Sequence, residues 1–179
     1  MRIAIIFAAA LALASSSAMG VSQSLQVHLT NANDYCFILP STKKTIGESE
    51  DGGNGAKSFC TKPVGGQGQL PTGTDAWKNG PNFLKKNTYV QVTGCIRTSK
   101  FSTLVKGDGG GQYDSNGGDG GKGNPRNSVC NGYKSYVEVV EPDSGRICIR
   151  CCNDNKYCPL DRDTQGCASV IKNGNYNGC

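Results

Sequence analysis

With 179 residues, ten cysteines and 25 glycines, the chain has the make-up of one small domain held by cross-links rather than by a large apolar core. Its formal net charge of +5 comes with no dense Lys/Arg run interleaved with aromatics, which argues against nucleic-acid binding. His28 is the lone histidine, so any Ser–His–Asp or Cys–His chemistry would have to use that position.

The chain opens on a secretory pattern. Arg2 supplies the positive region, Ile3 to Ala14 the apolar run, and Ala18-Met19-Gly20 the small residues a signal peptidase reads. The run is too short to span a bilayer, which takes about 20 helical residues. Residues 1–20 therefore read as a signal peptide cleaved before Val21. Residues 21–179 read as a single secreted, extracellular domain with no transmembrane segment. The charge is uneven. Residues 40–106 carry 10 basic and 4 acidic side chains, against 8 and 9 over residues 107–179.

Apolar residues alternate where they cluster. Leu25, Val27 and Leu29 form a period-two run that contains His28, and Cys36 to Leu39 is a short apolar run ended by Pro40. Residues 40–58 and 62–82, rich in Gly, Thr, Lys and Pro, read as loops, and Trp77 falls in the second. Tyr89 to Thr93 alternates before Gly94 and Cys95. Residues 107–125 hold nine glycines in 19 positions and read as a solvated loop within the domain. Tyr136 to Val140 and Ile147 to Cys151 alternate on either side of Pro142-Asp143-Ser144-Gly145, which predicts a hairpin. A four-residue loop sets Glu138 opposite Ile149. A three-residue loop, Asp143 to Gly145, sets Glu138 opposite Arg150 as an exposed pair and puts Gly145 at the left-handed closing position. The second register matches polar with polar and is the expected one. Long 3.6-residue stripes are missing. The fold class is therefore all-β: a small disulfide-stapled barrel or sandwich with long glycine-rich loops and little helix.

The cysteines divide around the glycine stretch. Cys36, Cys60 and Cys95 precede it, while Cys130, Cys148, Cys151, Cys152, Cys158, Cys167 and Cys179 follow. Both counts are odd, so complete pairing requires a bridge across the stretch. Cys148-x-x-Cys151 has a zinc-like spacing, but secreted thiols oxidise, and structural disulfides are the expected fate of all ten. Cys151 and Cys152 are adjacent in a strand and should bond on opposite faces. No metal and no cofactor is expected. The weaker metal alternative is calcium on Asp108, Asp114 and Asp119. A phosphate-cradling loop fails at Gly121-Lys122, which has Asn116 at the first required glycine and Gly123 where Ser or Thr is needed.

The C-terminal half carries GGGQYDS, YVEVVEP, CIRCC, CPL and DTQGC. With these motifs the chain resembles, over roughly its last 90 residues, a family of small secreted cysteine-rich proteins of fungi. The glycine-rich run also resembles segments of plant kiwellin-like and other double-psi barrel proteins. The fungal resemblance implies a secreted fungal protein and carries over no activity.

The functional expectation is a non-enzymatic extracellular protein acting by surface recognition, either a fungal effector or a cell-surface or wall-associated factor. Its contacts would be Trp77, Tyr113 and Tyr133, which offer flat stacking faces, with Lys85 and Lys86. The partner would be a cell-wall polysaccharide or a host or cell-surface protein. The alternative is a wall polysaccharide-binding or -loosening protein of expansin-like type, or a glycoside hydrolase with paired carboxylates.

Overall fold

The computed structural model describes residues 22–50, 55–162 and 164–179. The expected signal peptide lies outside them, and the side chain of Asp119 is likewise outside the description. Eleven strands and two short α-helices are described: β1 (Gln26–Val27), β2 (Leu29–Asn31), β3 (Asp34–Pro40), α1 (Ile46–Glu50), β4 (Ala56–Cys60), β5 (Gly68–Gln69), β6 (Asn82–Lys85), β7 (Tyr89–Cys95), β8 (Gly111–Asp114), β9 (Val129–Cys130), β10 (Ser135–Glu141), β11 (Arg146–Cys152) and α2 (Cys167–Val170). The class is all-β with little helix, as the alternation predicts.

A five-stranded antiparallel sheet runs in the order β6-β7-β11-β10-β8. A four-stranded sheet runs β2-β3-β4-β5, and β1 pairs with β9 in parallel. The described strands close no barrel. The larger sheet and β3 share one core, in which Tyr35, Phe37, Ile38 and Leu39 meet Val90, Val92, Tyr136, Val140, Ile147 and Ile149. Pro40 ends β3, where its missing N–H costs no ladder bond.

The central strands β10 and β11 are buried along nearly their whole length because both faces of the sheet are covered. The second face, carrying Val137, Val139, Cys148 and Cys152, packs under Cys158, Cys167, Val170 and Ile171 of the C-terminal segment. Five disulfides account for all ten cysteines: Cys36–Cys60, Cys95–Cys179, Cys130–Cys151, Cys148–Cys167 and Cys152–Cys158. Cys95–Cys179 crosses the glycine stretch, as the odd counts demand. Cys151 belongs to the main core and Cys152 to the second face, so adjacent cysteines bond to opposite sides.

Three expectations need correction. The hairpin adopts the four-residue loop: Glu138 stands opposite Ile149, Val137 opposite Arg150, and Glu141 opposite Arg146. Matching polar with polar assumed one solvated face, and along β10 and β11 this sheet has none. In the observed register Glu141 and Arg146 pair at 2.8 Å, and Val140 sits against Ile147 in the core. Glu138 and Arg150 are then buried on opposite faces instead of paired in solvent. Gly145 does take a left-handed conformation, with φ +64°, and a Cβ there would meet the Ile96 carbonyl oxygen at 2.8 Å.

The glycine-rich stretch is not loop throughout. Its Gly111 to Asp114 portion is β8, an edge strand paired with β10. Residues 40–58, read as loop, contain α1 and the start of β4. No helix among the described residues is long and apolar enough to cross a membrane.

Candidate functional site

β8 places three side chains in alternation. Tyr113 points into the core, fully buried, with its hydroxyl bonded to Ser49 Oγ. Gln112 and Asp114 point to the opposite face, where the C-terminal cover stops short of the sheet edge. The result is a groove of about 530 Å³, inside the range of small-ligand sites. Gly109, Gly110, Gly111, Gly117 and Gly118 form much of its lining, Glu50 and Val139 contribute from α1 and β10, and Glu141 and Gly166 stand at the C-terminal side.

The groove carboxylates depend on glycines. A Cβ on Gly111 would come closer than 3.0 Å to Glu50, one on Gly117 would do the same to Asp114, and one on Gly166 to Glu141. Glycines that read as solvated turn formers thus make room for acids.

Asp114 is 4 % exposed, and its side-chain hydrogen bonds come from neutral donors. Asn116 N donates to Oδ1 at 2.9 Å, Gly117 N donates to the same oxygen, and Gln112 Nε2 donates to Oδ2 at 3.3 Å. Glu141 accepts from Arg146 Nη2 at 2.8 Å and, on its other oxygen, from Cys167 N at 2.9 Å. Gln112 is 6 % exposed, and its Oε1 has no hydrogen-bond partner. A buried acceptor left unmade costs about 1–3 kcal/mol, which a ligand's donor would recover. Both oxygens of Asp114 and of Glu141 are held by protein donors. That arrangement suits fixed recognition better than proton transfer, which needs an oxygen within hydrogen-bond reach of the substrate proton.

The most strongly perturbed acid lies elsewhere. Glu138 is fully buried on the core face, where desolvation pushes its carboxyl well above the usual range despite a 2.9 Å bond from Ile38 N. It does not line the groove. On the second face Arg150 is 7 % exposed. It donates twice to Gln91 Oε1, at 3.0 and 2.7 Å, and once each to Tyr157 O and Asn173 Oδ1. Burial lowers its pKa from the ordinary guanidinium value.

The residues singled out by sequence are dispersed. Trp77 is 1 % exposed, with the rings of Tyr35 and Phe37 at 6.0 and 6.1 Å, so it is a core anchor and presents no stacking face. Tyr113 is likewise core, and Tyr133 packs, partly buried, against the same cluster. Lys85 and Lys86 are exposed at the end of β6, the sheet edge opposite the groove. Of the calcium candidates, Asp108 accepts from Ile46 N at 2.7 Å and Gly110 N at 3.1 Å, while Asp114 belongs to the groove. His28 pairs with Asp34 at 3.0 Å and lies 3.2 Å from Cys36 Sγ. Among the described residues, His28, Cys36 and Cys60 are the one cluster with metal-ligand spacing, but the two sulfurs are joined in a disulfide.

Gln112, Glu50 and Glu141 escaped the sequence reading. Gln112 and Asp114 flank Tyr113 in polar–apolar–polar order, which is a strand signal hidden by the glycines around it.

Across 154 residues, 78% of it, the chain is 29% identical to appressorium protein ROW1 of Mycosarcoma maydis. Appressorium protein ROW2 of the same fungus is also 29% identical over 154 residues, 79% of the chain. The matched region spans 34% of the first relative and 51% of the second, so the chain covers about a third to a half of their lengths. No protein-family model and no solved structure matches. This distant similarity, together with five disulfides, fits a fungal cysteine-rich protein.

Proposed function

We propose that this chain is a secreted, non-enzymatic fungal factor of the cell surface or wall, and that it holds a wall polysaccharide in the groove beside β8. Five disulfides accord with an oxidising, extracellular destination, as does the secretory pattern at residues 1–20. Both curated relatives are fungal proteins named for the appressorium, which supports the fungal cell-surface half of the reading.

The observation that carries the ligand half is the lining. Backbone-only glycine walls let a polymer approach closely, and Asp114 and the unpartnered Gln112 Oε1 offer acceptors to hydroxyl donors. Protein donors on both oxygens of Asp114 and of Glu141 hold these carboxylates in place, which favours binding over hydrolysis.

Sedimentation of the oxidised protein with insoluble chitin, glucan, cellulose and chitosan tests the proposal. Retention on at least one polymer, lost on competition with its soluble oligomer, is expected. Failure to be retained on any of them, at low and moderate salt, removes the polysaccharide reading and leaves a protein partner to be sought.

A further inference from the structure

The groove is acidic on a basic protein. Its lining holds Glu50, Asp114 and Glu141 and no Lys or Arg, although the chain carries a net +5. The cations gather at other hollows. Lys78, Arg97 and Lys106 line one, and Arg150, Lys156, Arg162 and Lys172 line another.

Within the groove, Arg146 offsets Glu141. Asp114, by contrast, is held by one side-chain amide and two backbone N–H groups, none of them charged. A carboxylate has about four acceptor sites, so three bonds leave room for one more. Beside it, joined by the 3.3 Å bond from its own Nε2, Gln112 keeps a buried Oε1 without a donor. The missing ligand group is therefore one that donates more than one hydrogen, accepts none and carries positive charge. A protonated amine has three donors and no acceptor, whereas a sugar hydroxyl donates once and an acetamide carries no charge. A bare divalent cation fits less well. No three carboxylates among the described residues bring oxygens within 4.8 Å of one another.

We infer that the groove selects amine-bearing sugars, that is, oligosaccharides of glucosamine with the amine free and protonated, through Asp114 and Gln112 Oε1. This inference rests on the polysaccharide reading above and narrows it to a cationic polymer. Acidic sugars such as uronates are excluded by the same charge.

The test is calorimetric titration of the full oxidised chain, in mildly acidic buffer, with short oligomers of glucosamine, N-acetylglucosamine and glucose, and separately with calcium alone. The glucosamine oligomer should bind about tenfold or more tightly than either neutral oligomer. Its advantage should shrink as salt is raised. Asp114→Asn should abolish the preference. Because that side chain also holds two backbone N–H groups, Thr164→Lys is the second variant. Thr164 is exposed and lines the groove, so a lysine there adds a repelling charge without disturbing the core. It should weaken glucosamine binding several-fold, weaken the neutral oligomers less, and leave the protein folded in thermal melts.

Equal or tighter binding of a neutral oligomer overturns the amine inference and keeps the polysaccharide reading. Binding of none overturns both. Glucosamine binding indifferent to Thr164→Lys places the ligand elsewhere and overturns the site. Calcium alone raising the melting temperature, with no effect of glucosamine, overturns the inference in favour of a metal.

Discussion

On one face of the five-stranded sheet Val90, Val92, Tyr113, Tyr136, Val140, Ile147 and Ile149 join the main core, and Cys130–Cys151 is the bridge that ties that face. On the other face Val137, Val139, Cys148 and Cys152 pack under the C-terminal segment, but Gln91, Thr93, Gln112, Asp114, Glu141 and Arg150 are buried beside them, so this face is the more polar one. Three bridges anchor their cover: Cys95–Cys179, Cys148–Cys167 and Cys152–Cys158. The apolar face sheds water for roughly 25 cal/mol per Å² and holds itself. The more polar face gains less from burial, because a polar group that exchanges water for a protein partner nets only about 1 kcal/mol. Covalent closure adds to the contacts of Val137, Val139, Val170 and Ile171 in keeping it covered. Polar groups can then be buried and left facing a groove at the sheet edge.

The largest effect should come from the apolar face. Ile149→Ala should destabilise by about 2–5 kcal/mol in chemical denaturation while leaving groove binding intact in the folded fraction. Breaking the polar face should cost less and reach the site. Cys148→Ser with Cys167→Ser should lower stability by about 3 kcal/mol, with faster hydrogen exchange concentrated in residues 153–179. Because Cys167 N holds Glu141, that variant should also weaken ligand binding. An Ile149→Ala loss smaller than that of the cysteine pair would erase the distinction between the faces.

Glu138 sharpens the comparison by being the acid on the apolar side. Its folded pKa is raised by desolvation, so the folded state binds its proton more tightly than the unfolded chain does. Its contribution to stability is full below the unfolded value of about 4.3 and is lost as pH rises through the raised folded value. Within that window stability should fall by up to about 1.4 kcal/mol per pH unit. Glu138→Gln, which keeps an acceptor for Ile38 N, should flatten the slope in melts across pH. An unchanged slope would assign the pH dependence to another group. The smallest effect belongs to the far sheet edge. Lys85→Ala should change stability by less than about 0.5 kcal/mol and leave polysaccharide retention alone.

What could be read in advance was whatever is local. The period-two runs at Tyr89–Thr93, Tyr136–Val140 and Ile147–Cys151 became β7, β10 and β11, and the parity of the cysteines required a bridge across the glycines without specifying which one. The hairpin register was misjudged because pairing by polarity presumes a wet face. Here the C-terminal cover, remote in sequence, dries it. Trp77 and Tyr113 looked like exposed loop aromatics because their neighbours are glycine, lysine and threonine. Their burial is decided by partners at a distance, Tyr35 and Phe37 for one and Ser49 for the other. The groove was invisible for the same reason: Gly111 meets Glu50, and Gly166 meets Glu141, only after the chain has folded.

The most direct test of the account is residue-resolved amide mapping of the oxidised protein during titration with the soluble oligomer of whichever polymer retains it. Ligand-dependent changes should centre on Gly109 to Gln112, Gly117, Gly118 and Gly166, and should spare Lys85 and Lys86. Changes centred on the Lys85 edge, or on neither region despite retention, would contradict the assignment of the groove as the recognition site.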